Sequence, residues 1–237
     1  PATRATPKAT ARAAAVQHVA KAAPRPGPCG PHRRPPRYTS RVPIPVLPSV
    51  IPQVGGPRTR ALGAWVMRRW GWDFEGEFPA LPKLVIVVVP HTSNWDFFVG
   101  VAAKFAIGLR AVWIGKDSLF RWPVGLVLRR IGGIPVDRSA PNAVVQTIVD
   151  EFARHEAMVF VLAPEGTRKR VERWRSGYWH IAHEARVPIL PVGFDFARRR
   201  IVLGDTLHTG DALERDEQVL RDFARRITPQ RPALYVP

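Results

Sequence analysis

Residues 84–96 read LVIVVVPHTSNWD, an apolar run that ends at a proline and passes straight into polar residues. A run of β-branched residues bounded in this way predicts a buried strand over residues 84–89. The polar residues after it include His91 and Asp96. Because ligands of open α/β sheets bind beyond the carboxyl ends of the strands, we expect these two side chains at a functional edge.

His91 and Asp96 form a candidate catalytic pair. In one straight helix a separation of five residues would turn the two side chains about 140° apart, so they could not meet. They can meet if His91 follows the strand and Ser93 or Asn94 caps a helix that contains Asp96. A carboxylate beside an imidazole fixes its tautomer and stabilises its protonated form, as a general base requires. The competing interpretation is that both are ordinary cap or loop residues.

Three further segments follow in order: GIPVDR at residues 133–138, MVFVLAPEGTR at residues 158–168 and VPILPV at residues 187–192. With residues 91–96 they resemble the glycerolipid acyltransferase family, whose known members include the 1-acylglycerol-3-phosphate acyltransferases. That family carries a His and an Asp separated by four residues, a Gly-to-Arg block, Glu-Gly-Thr-Arg, and an apolar block with Pro. Two departures concern acceptor choice. Pro90 stands where Asn is common, and Lys169 stands where Ser is common.

The resemblance implies transfer of a fatty acyl group from a thioester to the hydroxyl of a lysophosphatidic acid-type acceptor, which gives phosphatidic acid. His91 would be the base and Asp96 its partner, so the attacking hydroxyl belongs to the substrate. The acceptor and its phosphate would be bound by Arg138, Glu165, Gly166, Thr167 and Arg168. The acyl chain would be lined by Val187, Pro188, Ile189, Leu190 and Pro191. The structural alternatives are a Glu165–Arg168 ion pair, a solvated Arg138 and an ordinary core strand over residues 187–192.

The donor implied by the resemblance is acyl-coenzyme A or acyl carrier protein, and no bound cofactor is expected. No metal is expected, because no acidic or Cys residue stands at ligand spacing from a histidine pair. Lys169, Arg170, Arg173 and Arg175 form a basic run that would suit the phosphates of coenzyme A or an acidic carrier protein. A solvated basic face is the alternative. Within the same reaction class the acceptor could instead be glycerol 3-phosphate or another lyso-lipid.

The net charge of +17 is unevenly distributed along the 237 residues. Residues 1–60 contain eleven Lys or Arg, no acidic residue and 13 of the 25 prolines. Such a segment cannot bury enough apolar surface to offset its ordering entropy. We therefore predict a disordered, Pro-rich basic tail over residues 1–60 and an acyltransferase domain over residues 61–237. The tail would bind nucleic acid, attract anionic lipid head groups, or serve as a solvated linker.

A non-enzymatic basic protein that binds nucleic acid is the competing function of a different class. It is disfavoured because +11 of the net charge of +17 lies in the tail and not on a face of the fold. The single Cys29 excludes an intrachain disulfide framework and a Cys-based zinc site.

We predict that the protein binds to the surface of a membrane and does not span it. No uninterrupted apolar run of about 18 residues occurs, so no transmembrane span is expected. Residues 61–72 (ALGAWVMRRWGW) and 119–130 (LFRWPVGLVLRR) combine Trp with Arg, as interfacial helices do. The alternative is two core-packed helices whose Arg side chains reach solvent. We expect a peripheral or monotopic protein on the cytoplasmic face of a membrane with an anionic surface.

Strand and helix patterns alternate along the chain. Strands are predicted at residues 84–89, 111–114, 134–136, 158–163, 189–192 and 201–203. Helices are predicted at residues 94–108, 118–130, 141–155, 176–186 and 214–227. This order predicts a layered α/β fold with a largely parallel β-sheet flanked by helices.

Overall fold

The computed structural model of the chain describes residues 41–42, 44–136 and 141–236. The sheet strands are β1 Arg41–Val42, β2 Asp73–Glu75, β3 Lys83–Val88, β4 Ala111–Lys116, β5 Gly133–Val136, β6 Met158–Leu162, β7 Ile189–Asp195 and β8 Arg200–Leu203. The α-helices are α1 Pro57–Trp70, α2 Asn94–Ile107, α3 Val124–Arg130, α4 Pro141–Arg154, α5 Gly177–Ala185 and α6 Leu213–Ala224. Short 3-10 turns occupy Asp117–Phe120 and Pro232–Leu234.

The eight strands form one sheet in the order β1-β2-β8-β7-β3-β6-β4-β5. The β1–β2 and β7–β8 pairs are antiparallel, and the other neighbours run parallel. β3 lies between β7 and β6 and runs parallel to both. This confirms the predicted layered α/β fold with a largely parallel sheet.

The central strand β3 packs into a core on each face of the sheet. Leu84 and Ile86 belong to one buried cluster with side chains of α1 and α2. Val85 and Val87 belong to the other, with side chains of α4, α5 and α6. Alternate residues of a strand point to opposite faces, so an unbroken apolar run is what a strand covered on both sides requires.

The predicted helix over residues 118–130 is interrupted. A 3-10 turn ends at Phe120 and α3 begins at Val124. Pro123 lies between them and has no backbone N–H to continue a helical hydrogen-bond ladder. The sequence patterns also missed β1 and β2. β2 is three residues long and Phe74 is its one buried residue, so it is too short for a strand period to be recognised.

Packed structure extends N-terminal to the boundary that composition placed after residue 60. Leu47 and Ile51 are buried in the core cluster under α1 and α2. α1 itself begins at Pro57, where the fixed backbone of proline suits the first helical turn. Apolar residues between the prolines therefore anchor this stretch to the domain. The tail prediction otherwise concerns residues 1–40, which lie outside the described ranges.

Candidate active site

The turn from β3 into α2, residues 89–93, is built by a reciprocal helix cap. It is called the catalytic turn below because it carries the candidate catalytic residue His91. Ser93 is the N-cap residue, and its hydroxyl accepts the backbone N–H of Trp95 at 3.1 Å. Asp96 reaches back, and its Oδ2 accepts the backbone N–H groups of Ser93 at 2.9 Å and Thr92 at 3.0 Å. A carboxylate in the first turn is also stabilised by the positive end of the helix dipole. Two backbone hydrogen bonds and the helix dipole therefore hold the Asp96 carboxylate in place.

The same cap brings Asp96 beside His91. The imidazole Nδ1 of His91 lies 3.0 Å from Oδ2 of Asp96. Asp96 is buried, whereas the His91 side chain keeps 20% of its surface exposed. The structure thus joins the two residues in the way that the spacing required, with the strand ending before His91 and the helix starting after Ser93. Because Nδ1 faces the carboxylate, Nε2 is the ring nitrogen left for proton chemistry.

Glu165 follows β6 and contacts the backbone of the catalytic turn. Its Oε2 and Oε1 accept the N–H of His91 at 2.8 and 3.1 Å. Burial raises the pKa of Glu165 to about 7, while the charge of His91 and its backbone N–H hold it down. Since β6 is the direct neighbour of β3, residues 74 apart in sequence meet at one sheet edge. Glu165 is thus bound to the catalytic turn and not to Arg168.

The remaining acceptor candidates lie on the loop after Glu165. Arg168 is exposed and has no ion-pair or hydrogen-bond partner within the described parts of the chain. The hydroxyl of Thr167 accepts the N–H of Lys169 at 3.3 Å. Gly166 has φ of +64°, and a Cβ there would lie 2.9 Å from Nε of Arg175, so glycine suits this turn. Arg138 follows β5 and lies outside the described residues.

The predicted acyl-pocket residues lie inside the protein. Val187, Pro188, Ile189, Leu190 and Pro191 are all buried. Val187 and Ile189 pack in one core cluster and Leu190 in the other. β7 has a neighbouring strand on each side. This placement favours the alternative of an ordinary core strand.

An open groove of about 430 Å³ lies beside the catalytic turn. Its lining combines large apolar side chains with two arginines: Arg69, Trp70, Trp72, Trp95, Val99, Phe196 and Arg199. Trp95 connects the groove to the cap because it is the residue whose N–H binds Ser93. Sequence reasoning missed the groove because its walls come from α1, α2 and the β7–β8 turn, which are distant along the chain.

The C-terminal residues also reach the catalytic turn. The N–H of Arg231 donates to Oγ1 of Thr92 at 3.2 Å, across 139 residues of sequence. The hydroxyl of Tyr235 is buried, and burial followed by the nearby Glu165 carboxylate raises its pKa. No local pattern in residues 231–236 signals this position. Among the described residues, no group of three His, Cys, Asp or Glu is placed to hold a metal ion.

Comparison with known proteins gives consistent results. A family model described as "Acyltransferase" matches residues 75–195. The 1-acyl-sn-glycerol-3-phosphate acyltransferase of Escherichia coli K12 is 29% identical over 132 residues, which cover 53% of this chain and 52% of that protein. The enzyme of the same name from Cocos nucifera is 30% identical over 114 residues, covering 45% of this chain and 36% of the relative. The chain thus spans about half, or less, of the length of these relatives.

A solved structure shares the fold. The 1-acyl-sn-glycerophosphate (LPA) acyltransferase PlsC from Thermotoga maritima matches with a TM-score of 0.54 and 16% identity. The match covers 71% of this chain and 78% of that one. The family model includes the turn with His91 and Asp96, the loop with Glu165 to Arg168, and β7. By its order of motifs, its fold and its match to the family model, the chain belongs to the glycerolipid acyltransferase family.

Proposed function

We propose that the protein is an O-acyltransferase that moves a fatty acyl group from a thioester to the hydroxyl of lysophosphatidic acid, giving phosphatidic acid. The observation that carries the proposal is the contact of 3.0 Å between His91 Nδ1 and the buried Asp96. The names of the relatives support the choice of acceptor. Phospholipid biosynthesis is the process that would use this product.

The geometry suits general base catalysis of acyl transfer. His91 Nε2 takes the proton of the acceptor hydroxyl as its oxygen attacks the thioester carbonyl. Asp96 stabilises the imidazolium that forms, and the thiolate that leaves takes up the proton. A base of this kind accelerates such a step about 10²–10⁴-fold. The nucleophile is the substrate's own hydroxyl, so no acyl-enzyme is required.

Acceptor binding is assigned to the loop after β6. Arg168 is free to pair with a phosphate, and guanidinium binds phosphate with two parallel hydrogen bonds. Arg138 follows the neighbouring strand β5 and is the second candidate. Glu165 holds the His91 backbone, so its role is to position the catalytic turn. Gly166 and Thr167 shape the loop that presents Arg168.

The acyl chain is assigned to the groove between α1, α2 and the β7–β8 turn. Its tryptophans offer apolar surface, and Arg69 and Arg199 flank them with positive charge. An amphiphile with an anionic head group matches this combination. The groove is a better candidate than residues 187–191, because those side chains are enclosed by the sheet and the helices.

The proposed location is the surface of an anionic membrane, which the protein would join as a peripheral or monotopic protein. No helix within the described residues is long and apolar enough to cross a bilayer. The acyl donor is coenzyme A thioester or acyl carrier protein, and the exposed cations Lys169, Arg170 and Arg173 lie next to the acceptor loop. Acidic or phosphorylated carriers fit such a surface.

An acceptor panel tests the proposal. Purified protein is assayed with lysophosphatidic acid, glycerol 3-phosphate and uncharged or zwitterionic lyso-lipids, each with acyl-coenzyme A and with acyl carrier protein. We expect turnover to be highest with lysophosphatidic acid and to disappear in His91→Ala. His155→Ala is the matched control, since His155 is an exposed histidine at the end of α4. Equal turnover in His91→Ala and the control, or no acylation of any acceptor, would reject the proposal.

A further inference from the structure

An unusually apolar surface lies between β4 and β5. Residues 119–127, called the Trp122 segment below, include the last turn residues before α3 and the first residues of α3. Its large apolar side chains point into solvent. The exposed members are Leu119, Trp122, Val124, Leu126 and Val127. Trp122 alone keeps 88% of its surface exposed. A contiguous apolar patch on a water-soluble surface marks an interaction site.

The exposure is built into the fold. Phe120 packs onto Trp113 of β4, with 6.0 Å between the ring centroids. Gly125 lies so close to the Phe120 backbone that a Cβ would come within 2.0 Å of its carbonyl oxygen. A Cβ at Gly133 would lie 2.9 Å from the Phe120 ring. Phe120 and the glycines thus hold the segment against the sheet and turn the other apolar side chains outward.

The Trp122 segment emerges at the edge of the sheet that carries the catalytic turn. β4 runs parallel to β6, and β6 runs parallel to β3. His91 follows β3, Glu165 follows β6 and the Trp122 segment follows β4, so all three lie beyond the carboxyl ends of adjacent strands. A partner bound by this segment would therefore face the catalytic edge.

Positive charges surround the apolar side chains. Lys116, Arg121, Arg129 and Arg130 are exposed, whereas Asp117 is the one acidic residue between residues 116 and 130. The Arg129 guanidinium lies over the Phe120 ring at 5.4 Å. Tryptophan with arginine at the rim of an apolar patch suits the boundary between acyl chains and phosphate head groups.

A chain of aromatic contacts connects the segment to a second exposed apolar area. It runs from Phe120 through Trp113, Phe97, Phe98 and Trp95 to Trp70, with centroid distances of 5.2 to 6.0 Å. Trp95 and Phe98 of α2 are themselves exposed, as are Leu62 and Trp65 of α1. Ring-to-ring contacts therefore link the segment to the aromatic residues that line the groove beside the catalytic turn.

We infer that the Trp122 segment inserts into the head-group region of an anionic bilayer and sets the catalytic edge against the membrane. The inference rests on the proposed function, in which acceptor and product are bilayer lipids. A second copy of the chain is a poorer occupant. Two-fold contact would bring the same four cations together and oppose association. An anionic bilayer pairs those cations with phosphates, which favours binding.

Vesicle sedimentation tests the inference with a matched pair of variants. Val127 and Val219 are both exposed valines on helices, at 59% and 49% of their surface. Val219 lies on α6, whose buried side chains pack on the opposite face of the sheet from α2. Leu126→Ser/Val127→Ser should weaken partition to phosphatidylglycerol vesicles about tenfold or more. Val219→Ser should bind as the wild type does. Trp122→Ser should weaken binding in the same direction.

Activity on a short-chain acceptor dispersed in detergent separates this inference from the proposed function. The double variant should keep wild-type turnover there and lose turnover on vesicle-embedded acceptor. Wild-type vesicle binding by the folded double variant would overturn the inference. The inference would also fail if the wild type were a dimer, the double variant were a monomer, and both bound vesicles equally well. If the wild type acylates nothing but its vesicle binding still depends on residues 126 and 127, the proposed function fails and the insertion surface stands.

Discussion

At the scale of single residues, Asp96 belongs both to the cap of α2 and to the proposed catalytic pair. Asp96 accepts two backbone N–H groups of the cap and faces Nδ1 of His91. His91 itself lies at the rim and contributes little to the core. The two members of the proposed catalytic pair should therefore differ in how much stability is lost when each is replaced.

Substitution at the two positions should separate these contributions. His91→Ala should lower kcat by about 10²–10⁴-fold and leave the thermal midpoint close to that of the wild type. Asp96→Asn should also lower kcat, and in addition destabilise the protein by about 0.5–2 kcal/mol through the weakened cap. Initial rates and thermal denaturation of each variant measure this. An Asp96→Asn protein with wild-type stability would show that the cap does not need the charge.

The buried Glu165 predicts a pH dependence of stability. The pKa of its carboxyl is raised from 4.5 to about 7. The contribution of Glu165 to the free energy of unfolding is therefore complete below pH 4.5 and is lost as the pH rises through 7. Glu165→Gln removes this titration, and its stability relative to the wild type should rise by up to about 3 kcal/mol between pH 4.5 and 8. Urea denaturation at both pH values measures the difference. Glu156→Gln, at an exposed position, is the control. Parallel pH profiles for Glu165→Gln and the wild type would contradict the prediction.

Arg168 should act in acceptor binding. A hydrogen bond to a charged group contributes about 1.5–3 kcal/mol, so Arg168→Ala should raise the acceptor KM about ten- to a hundredfold. Arg168→Lys should recover part of the affinity because a point charge lacks the guanidinium fork. Arg215→Ala is the control, at an exposed arginine on α6 that has no proposed role in binding. Kinetics with each substrate varied in turn measure both KM values, and a change confined to the donor would move Arg168 to the donor site.

At the scale of secondary structure elements, α1 and α2 pack through a glycine. A Cβ at Gly63 would lie 2.4 Å from the Ala106 nitrogen and 2.8 Å from the Phe105 carbonyl carbon. Alanine favours a helix over glycine by about 1 kcal/mol, but backbone atoms cannot move aside as a side chain can. The clash of an added Cβ therefore outweighs the gain in helix propensity, and α1 and α2 would have to move apart.

Gly63→Ala should destabilise the protein by about 1–3 kcal/mol despite its better helix propensity. Gly177→Ala is the matched control. A Cβ at Gly177 meets only Val145 Cγ2, at an ordinary 3.8 Å. Chemical denaturation should rank Gly177→Ala at or above the wild type. Equal or higher stability of Gly63→Ala would mean that α1 and α2 are not packed as closely as described.

Elements with a strong local signal could be predicted, and pairings between distant elements could not. The apolar run at residues 84–89 and the cap at Ser93 depend on neighbours in sequence, so β3, α2 and the meeting of His91 with Asp96 followed from the chain alone. The bond from Glu165 to the His91 N–H depends on β6 lying beside β3, which no local pattern specifies. For residues 187–191 the local pattern predicts a strand but not its role, because an apolar strand fits a ligand pocket and a core equally well.

At the scale of the whole molecule, residues 44–56 belong to the folded domain. Leu47 and Ile51 are buried, the N–H of Arg110 donates to the Pro52 carbonyl at 2.8 Å, and that of Val54 donates to Gly108 at 2.8 Å. If residues 1–40 form the tail that the sequence predicts, their deletion should leave the thermal midpoint unchanged. Deletion of residues 1–56 should cost about 3–6 kcal/mol, the burial of two large aliphatic side chains. Thermal denaturation compares the two deletions, and equal midpoints would contradict the packing of Leu47 and Ile51.

The position of β6 between β3 and β4 affects how long β3 stays unpaired during translation. β3 ends at Val88, but β6, its neighbour, ends at Leu162, and β7 on its other side comes later still. At about 5–20 residues per second, translation needs roughly 4–15 s to bridge the 74 residues between the ends of β3 and β6. During that interval the nascent chain holds an apolar strand without either native neighbour, a state prone to aggregation. A strand that is covered on both faces in the finished protein is therefore exposed during synthesis, and early docking of α2 would cover one of its faces.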